Sequence, residues 1–198
     1  NYFTISPSSL IIDFPTQTCP YNQFFCVTPS GVHSDVEIVL IPTTPARPGF
    51  NAHYRIVYKN IGNQVENGEV KFAYEEDVLD FISSSLIVNS QNTIANTTTL
   101  SWNYSNLLPF ETRSIVVTLS VPAIPTVALN QLLTNTVAIT PNTNEAVLNN
   151  NSATSTQAVI AAYDPNDKVE SHGERILHAT FAANDYLYYT IRFENLGN

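Results

Sequence analysis

The first residues able to do chemistry are two cysteines. Cys19 and Cys26 lie in TCPYNQFFC, separated by six residues, with Pro20 and Asn22 available to bend the chain back. The further ligands that a zinc site needs are not nearby. The pair therefore reads as a disulfide, which on the chain-entropy model would stabilise by about 2.5 kcal/mol. It would also place the protein in an oxidising compartment. The alternative is two partly buried free thiols.

The histidines are His33, His53, His172 and His178. A hydrolase triad needs a histidine beside a nucleophile and a carboxylate. No G-x-S-x-G, H-E-x-x-H or P-loop pattern accompanies these histidines, so the expectation is a segment that is not an enzyme. Two acidic groups are weighed as well. YEEDVLDF holds Glu75, Glu76, Asp77 and Asp80. Paired carboxylates serve glycosidases, but in a strand-to-loop stretch such a cluster reads as a solvated face. DPNDK holds Asp164, Asn166 and Asp167. Closely spaced side-chain oxygens ligate calcium, and here calcium would stiffen a hinge. A turn in which Asp and Asn bond the backbone accounts equally for the pattern. No other cofactor is expected. Asn96, Asn103 and Asn150 fall in N-x-S/T sequons, which signify no more than an Asn- and Thr-rich surface.

Composition narrows the function classes. Net charge is −9, from 8 basic and 17 acidic residues. That leaves no basic surface to displace counterions from nucleic acid, and none to dock on an anionic membrane. Hydrophobic content is 43% while charged content is only 13%. Asn, Thr and Ser must supply the polar surface, a mixture that favours strands and turns. The chain opens on Asn1, contains no methionine, and shows neither a signal peptide nor a transmembrane run. It is expected to be a piece of a longer protein, whose targeting signals lie elsewhere.

The elements that must position these residues are strands. VEIVLIP (36–42) is largely apolar and reads as a buried strand. YRIVYKN alternates Tyr54, Ile56 and Tyr58 against Arg55 and Lys59, and GEVKFAY (68–74) alternates Val70, Phe72 and Tyr74 against charged neighbours. TTLSWNY (98–104) sets Leu100, Trp102 and Tyr104 on one side, with Trp102 in the core. Ile115, Val117, Leu119 and Val121 follow, then LLTNTVAIT (132–140) and SATSTQAVIAAY (152–163). No helical stripe stands out, although a lone turn of helix fits TVALNQLL (126–133). Strands at about 10–15-residue spacing with turns between them predict an all-β antiparallel sandwich.

One segment recurs. YRIVYKNIGN (54–63) and YTIRFENLGN (189–198) share five of ten positions, including Asn-x-Gly-Asn at the end. The turn residues are expected to supply positive φ. A recurrence this distant suggests tandem domains, since solenoid repeats run about 20–50 residues. The organisation expected is a preceding-domain tail or N-terminal cap with the cysteine loop (1–34), a sandwich (35–162) and the start of a second, incomplete repeat (163–198). Strands of that second copy would pack on the first domain, pair with a neighbouring molecule, or be poorly ordered.

YRIVYKNIGN, LSWNYSNLLPFETRSIVVTLSV and LLTNTVAITPNTNEAVLNNNSATSTQAV resemble the conserved-repeat family of bacterial Ig-like surface modules. The shared pattern is a strand ending in Asn-x-Gly, a Trp strand, an L-x-P-x-E turn, a TNTV strand and an Asn-rich turn before the last strand. It covers roughly residues 35–162. One departure is Phe110, where the family commonly has glycine. The flanks are similar to those of large secreted Bacteroidetes proteins exported by the type nine secretion system. The resemblance implies an Ig-like sandwich without catalytic activity, outside the cell or on its surface. It implies a spacer or adhesion module partnered by neighbouring domains of the same polypeptide. The alternatives are a module that binds glycan or a host or cell-surface protein, and an accessory domain of a secreted hydrolase.

Overall fold

The computed structural model describes residues 2–13, 16–17, 19–145, 147–161, 167–170 and 186–192. The chain divides into two compact units, Asn1–Ile160 and Ala161–Asn198.

In the first unit, β1 (Phe3–Ser6) and β2 (Cys26–Pro29) form a small antiparallel sheet of their own. The rest is a sandwich. Its strands are β3 (Val36–Pro42), β4 (Asn51–Asn60), β5 (Glu66–Glu75), β6 (Asp80–Ser84), β7 (Ser90–Ile94), β8 (Thr97–Leu107), β9 (Thr112–Ser120), β10 (Leu132–Pro141) and β11 (Ser152–Ala158). One sheet runs β3-β4-β9-β6 and the other β11-β10-β5-β8-β7. Every pairing is antiparallel. This is the expected Ig-like architecture.

Period-two patterning builds it. Tyr54, Ile56 and Tyr58 of β4 face Val70, Phe72 and Tyr74 of β5 across the core, and all six are buried. Leu100, Trp102, Ile115, Val117 and Leu119 fill the space between. Each such side chain contributes roughly 1.5–3 kcal/mol by leaving water. The alternation of β8 breaks at a bulge: Glu66 faces Leu107 but Gly68 faces Tyr104. Asn106 there takes φ 52°, and the extra residue turns Leu107 back into the core beside Tyr104.

Three expectations change. β3 is not buried throughout. It is an edge strand, with Val36 and Ile38 inside but Val39 and Ile41 exposed. Residues 126–131 form turns and bends, 132–133 already belong to β10, and no helix occurs among the described residues; none, therefore, is long and apolar enough to cross a membrane. The disulfide is not formed: Cys19 and Cys26 are exposed free thiols. Cys26 has been drawn into β2 opposite Ser6, and its sulfur sits 3.8 Å from the Thr28 hydroxyl. Strand pairing, not the loop, sets where that sulfur points. The argument for an oxidising compartment goes with the bridge.

In the second unit, β12 (Asp167–Glu170) pairs antiparallel with β13 (Tyr189–Arg192). Tyr189 and Ile191 face Glu170 and Lys168, as Tyr54 and Ile56 face Pro42 and Leu40. The connection is longer, but the pairing of the Tyr-x-Ile strand with the strand before it is the same.

Candidate functional site

The Asn-x-Gly-Asn turn that closes β4 works as a clamp. The buried Asn60 amide donates to the Gln64 carbonyl (2.7 Å) and the Leu107 carbonyl (2.9 Å). Its oxygen accepts from the Gly62 N–H at 2.9 Å. The Ile61 and Gly62 N–H groups then both donate to the Asp35 carbonyl at 2.9 Å. Asn63 grips the entering chain further out. Its amide donates to the carbonyls of Tyr2 (2.9 Å) and Gly31 (3.1 Å), and its oxygen accepts from His33 N–H (2.8 Å). None of Asn60, Gly62 or Asn63 has positive φ, so the expected reason for these residues is corrected. Glycine is needed at 62 for close approach: a Cβ there would lie 2.5 Å from the His33 carbonyl oxygen and 2.7 Å from the Asp35 nitrogen.

The hairpin of β1 and β2 is held on the same end. The Tyr2 hydroxyl donates to Asp35 Oδ2 at 2.7 Å, a bond that raises the phenol's pKa. The Tyr2 ring stacks on His33 at 4.6 Å. Phe3 packs on Phe110, also at 4.6 Å. Phe110 has φ 66°, the left-handed region that a bulky residue rarely enters. Glycine would enter that region without cost, and the contact with Phe3 is what a phenylalanine adds here. The turn around it is fixed by Glu111, which accepts from Leu108 N–H (2.8 Å) and pairs with Arg113 (2.7 Å). Arg113 also donates to the carbonyls of Ser105 and Asn106, at 2.9 and 2.8 Å.

A polar seam runs beside the clamp. Val36 N–H donates to Glu145 Oε1 (2.7 Å) and Asn151 Nδ2 to Glu145 Oε2 (2.7 Å). Asn150 Nδ2 donates to Asp35 Oδ1 at 3.0 Å. Thr143 joins Ser34 (2.8 Å) and donates to Glu66 Oε2 (2.6 Å). Burial holds the Glu145 carboxyl above the usual range, and neighbouring Asp35 adds to that. Burial likewise raises the Tyr104 phenol, followed by the charges of Glu66 and Glu145. Asn150 was named in the sequence only as part of a sequon and Tyr104 only as a core aromatic; Asp35, Glu66, Thr143, Glu145 and Asn151 were not singled out. Glu66 lies two residues before Gly68 and four before Val70, so the period-two reading of β5 was the available signal.

The other predicted residues do not converge. Glu75, Glu76, Asp77 and Asp80 are exposed, as expected of a solvated face; Thr98 donates to Glu76 and Asn96 to Asp77. His53 meets only a threonine hydroxyl through its ring, Thr118 at 3.0 Å. His172, His178, Asp164 and Asn166 lie outside the described residues. Of Asp167 only the backbone is described, paired with Arg192. Among the described residues no three of the His, Cys, Asp and Glu side chains stand together as a metal site.

Residues 164–198 match a family described as a domain of unknown function, DUF7619. No curated protein matches the chain. Among solved structures, the CARDB domain of a Pyrococcus furiosus protein, in complex with di-metal ions, is similar at TM-score 0.45 and 16% identity, covering 67% of this chain and 99% of that one. A cohesin module of a Clostridium perfringens family 33 glycoside hydrolase is similar at TM-score 0.45 and 10% identity, over 67% and 100% of the two chains. BslA, a bacterial hydrophobin, gives 0.38 and 12%, over 67% and 98%. Likeness at this level bears on neither activity nor ligand.

Proposed function

We propose that the chain is a non-catalytic structural module of a secreted or cell-surface protein, strung in tandem with neighbouring domains. The observation that carries the reading is the clamp. Asn60, Gly62 and Asn63 fix the segment that enters the sandwich through backbone and side-chain bonds in both directions. The same Asn-x-Gly-Asn stands at residues 195–198, behind a strand that pairs as β4 does. A module that grips its own inlet suits a chain in which each unit must hold a set geometry to the one before. In this reading residues 1–34 belong to the inlet, 35–162 are the spacer, and 163–198 open the next unit. Bacterial surface location, Bacteroidetes origin and type nine export rest on the resemblance alone. So does any calcium at Asp164, Asn166 and Asp167.

The glycan-binding alternative wants exposed aromatic platforms. Here Tyr54, Tyr58, Phe72, Tyr74, Trp102 and Tyr104 are spent in the core, which favours the spacer. Single-molecule stretching from the two ends tests it. A load-bearing sandwich over residues 35–160 ruptures in one step and lengthens by roughly 400 Å, at about 3.4 Å per residue. Gradual lengthening without a force peak would refute the proposal, and glycan-array binding by the intact chain would replace it with the alternative.

A further inference from the structure

One side of the sandwich is closed and the other is open. On the closed side the edge strands are β3 and β11, which lie close together. The Val36 N–H donates to Glu145 Oε1 at 2.7 Å and the Ile38 N–H to the Asn150 carbonyl at 3.0 Å. Pro42, with no N–H to offer, ends β3. These features blunt an edge. On the open side the edges are β6 and β7. The crossing between them is tied to both sheets, by Ser85 N–H to the Val116 carbonyl and Asn89 N–H to the Ser101 carbonyl, each at 2.9 Å. A bulge between Phe81 and Ser83 interrupts β6. β7 has no such interruption. It pairs with β8 in continuous register from Ser90 to Ile94, all five of its residues are exposed, and no strand lies along its outer edge.

An edge of this kind offers backbone N–H and C=O groups to another strand. The side chains decide which strand fits. Residues 81–110 contain no Asp, Glu, Lys, Arg or His, so all 8 basic and 17 acidic residues lie elsewhere. A net charge of −9 keeps copies of the chain apart, but two copies that meet along β7 bring strands without charge of either sign. A partner chosen by charge would need an opposite charge to meet, and this edge has none. Ile82, Leu86, Ile87 and Ile94 are exposed on the same uncharged segment, Ile87 at 92%.

We propose that β7 pairs antiparallel with β7 of a second copy, about a two-fold axis at Asn92, and so joins the two five-stranded sheets into one. This register uses all five residues of β7. Asn92 faces the partner's Asn92, Gln91 faces the partner's Thr93 and Ser90 faces the partner's Ile94, so no like charges stand opposite each other. The Ile94 end of each strand points toward the Ile87 end of the other. The contact is lateral, away from the inlet, and it holds whether or not units follow one another in tandem.

Sedimentation equilibrium of the full chain tests the pairing. Five residues make a small interface, so the dimer dissociates with a Kd on the order of 10 μM. N92K and N92E each set like charges face to face at the axis and weaken the dimer about tenfold or more. Asn92 is exposed, so both variants keep the urea midpoint of the wild-type monomer. Mixed in equal parts, N92K and N92E pair with each other and recover at least the wild-type affinity. Amides of β7 exchange more slowly in concentrated than in dilute wild-type protein. Three results would overturn the proposal: a wild type that stays monomeric at about 1 mM, a dimer that both variants leave as tight as before, or a mixture no tighter than its components.

Discussion

The two ends of the sandwich are closed by different chemistry. At the end away from the inlet, the loops supply Ala46, Val78, Leu79, Val121, Val127 and Val159, all buried. A few backbone bonds pin them, such as Gly49 N–H to Val121 O (2.9 Å) and Ile160 N–H to Ala46 O (3.0 Å). At the inlet end the buried polar residues are Asp35, Asn63 and Asn151 in loops, Asn60 at the last position of β4 and Glu66 at the first of β5. Apolar closure is non-directional and stabilises in proportion to area. Polar closure fixes geometry, because each group costs free energy if its partner moves. The apolar end needs only to be shut. The polar end must also hold another segment in place.

The comparison breaks most sharply under paired substitutions. Leu79→Ala leaves a cavity at the apolar end and costs about 3 kcal/mol. Leu79→Met keeps the volume and costs under about 1.5 kcal/mol. Asn60→Ala strands the Gln64 and Leu107 carbonyls and leaves the Gly62 N–H only its bond to the Asp35 carbonyl, at a cost of about 2–3 kcal/mol. No replacement of similar size rescues it: Asn60→Asp loses both donated bonds, and Asn60→Leu all three. Urea denaturation measures all five proteins. Equal tolerance at the two ends would mean that position 60 is ordinary packing.

A smaller effect separates the clamp from the sandwich. Phe110→Gly relieves a left-handed backbone that costs about 1–3 kcal/mol in a non-glycine residue. It also removes the contact with Phe3, worth about 0.5–1.5 kcal/mol. The sandwich should therefore melt no lower than the wild type, while amides of β1 and β2 lose protection from hydrogen exchange. Unchanged protection in the hairpin would show that Phe3 and Phe110 do not hold it.

The same contrast explains what could be read from the sequence. Tyr54, Ile56, Phe72, Trp102 and Ile115 were legible as core because strand periodicity is a local property and burial follows from it. The clamp was visible only as a repeated string. Its cause was misassigned to backbone φ, because the close approach of Gly62 to His33 and Asp35 joins positions that are distant in the chain. Glu66, Glu145 and Asn151 carried no motif at all. Glu66 meets Thr143, and Glu145 meets Val36 and Asn151, because the loop between β10 and β11 folds back over the inlet; residues as much as 109 apart in the chain give no periodic signal. Cys26 misled for a related reason. Short spacing suggests a bridge, but pairing of β2 with β1 decides the direction of the side chain.

The smallest effect is a difference in pH dependence between two glutamates of the inlet end. Glu111 has its pKa lowered by Arg113, with the Leu108 N–H helping. It adds stability above the ordinary carboxylate pKa, and that stability is lost as pH falls through its folded value. Glu145 has its pKa raised by burial, with Asp35 adding to it. Its contribution is present below the ordinary carboxylate pKa and is lost as pH rises through its folded value. Asp35 faces the same seam, and its charge is the one that Glu145 senses. At pH 7, E111Q therefore melts below the wild type, with the gap closing toward pH 3. E145Q melts slightly above it, with the gap closing toward pH 4. Screening by solvent keeps both differences small. If both variants respond to pH in the same direction, the carboxyl at 145 is not held in a repulsive site.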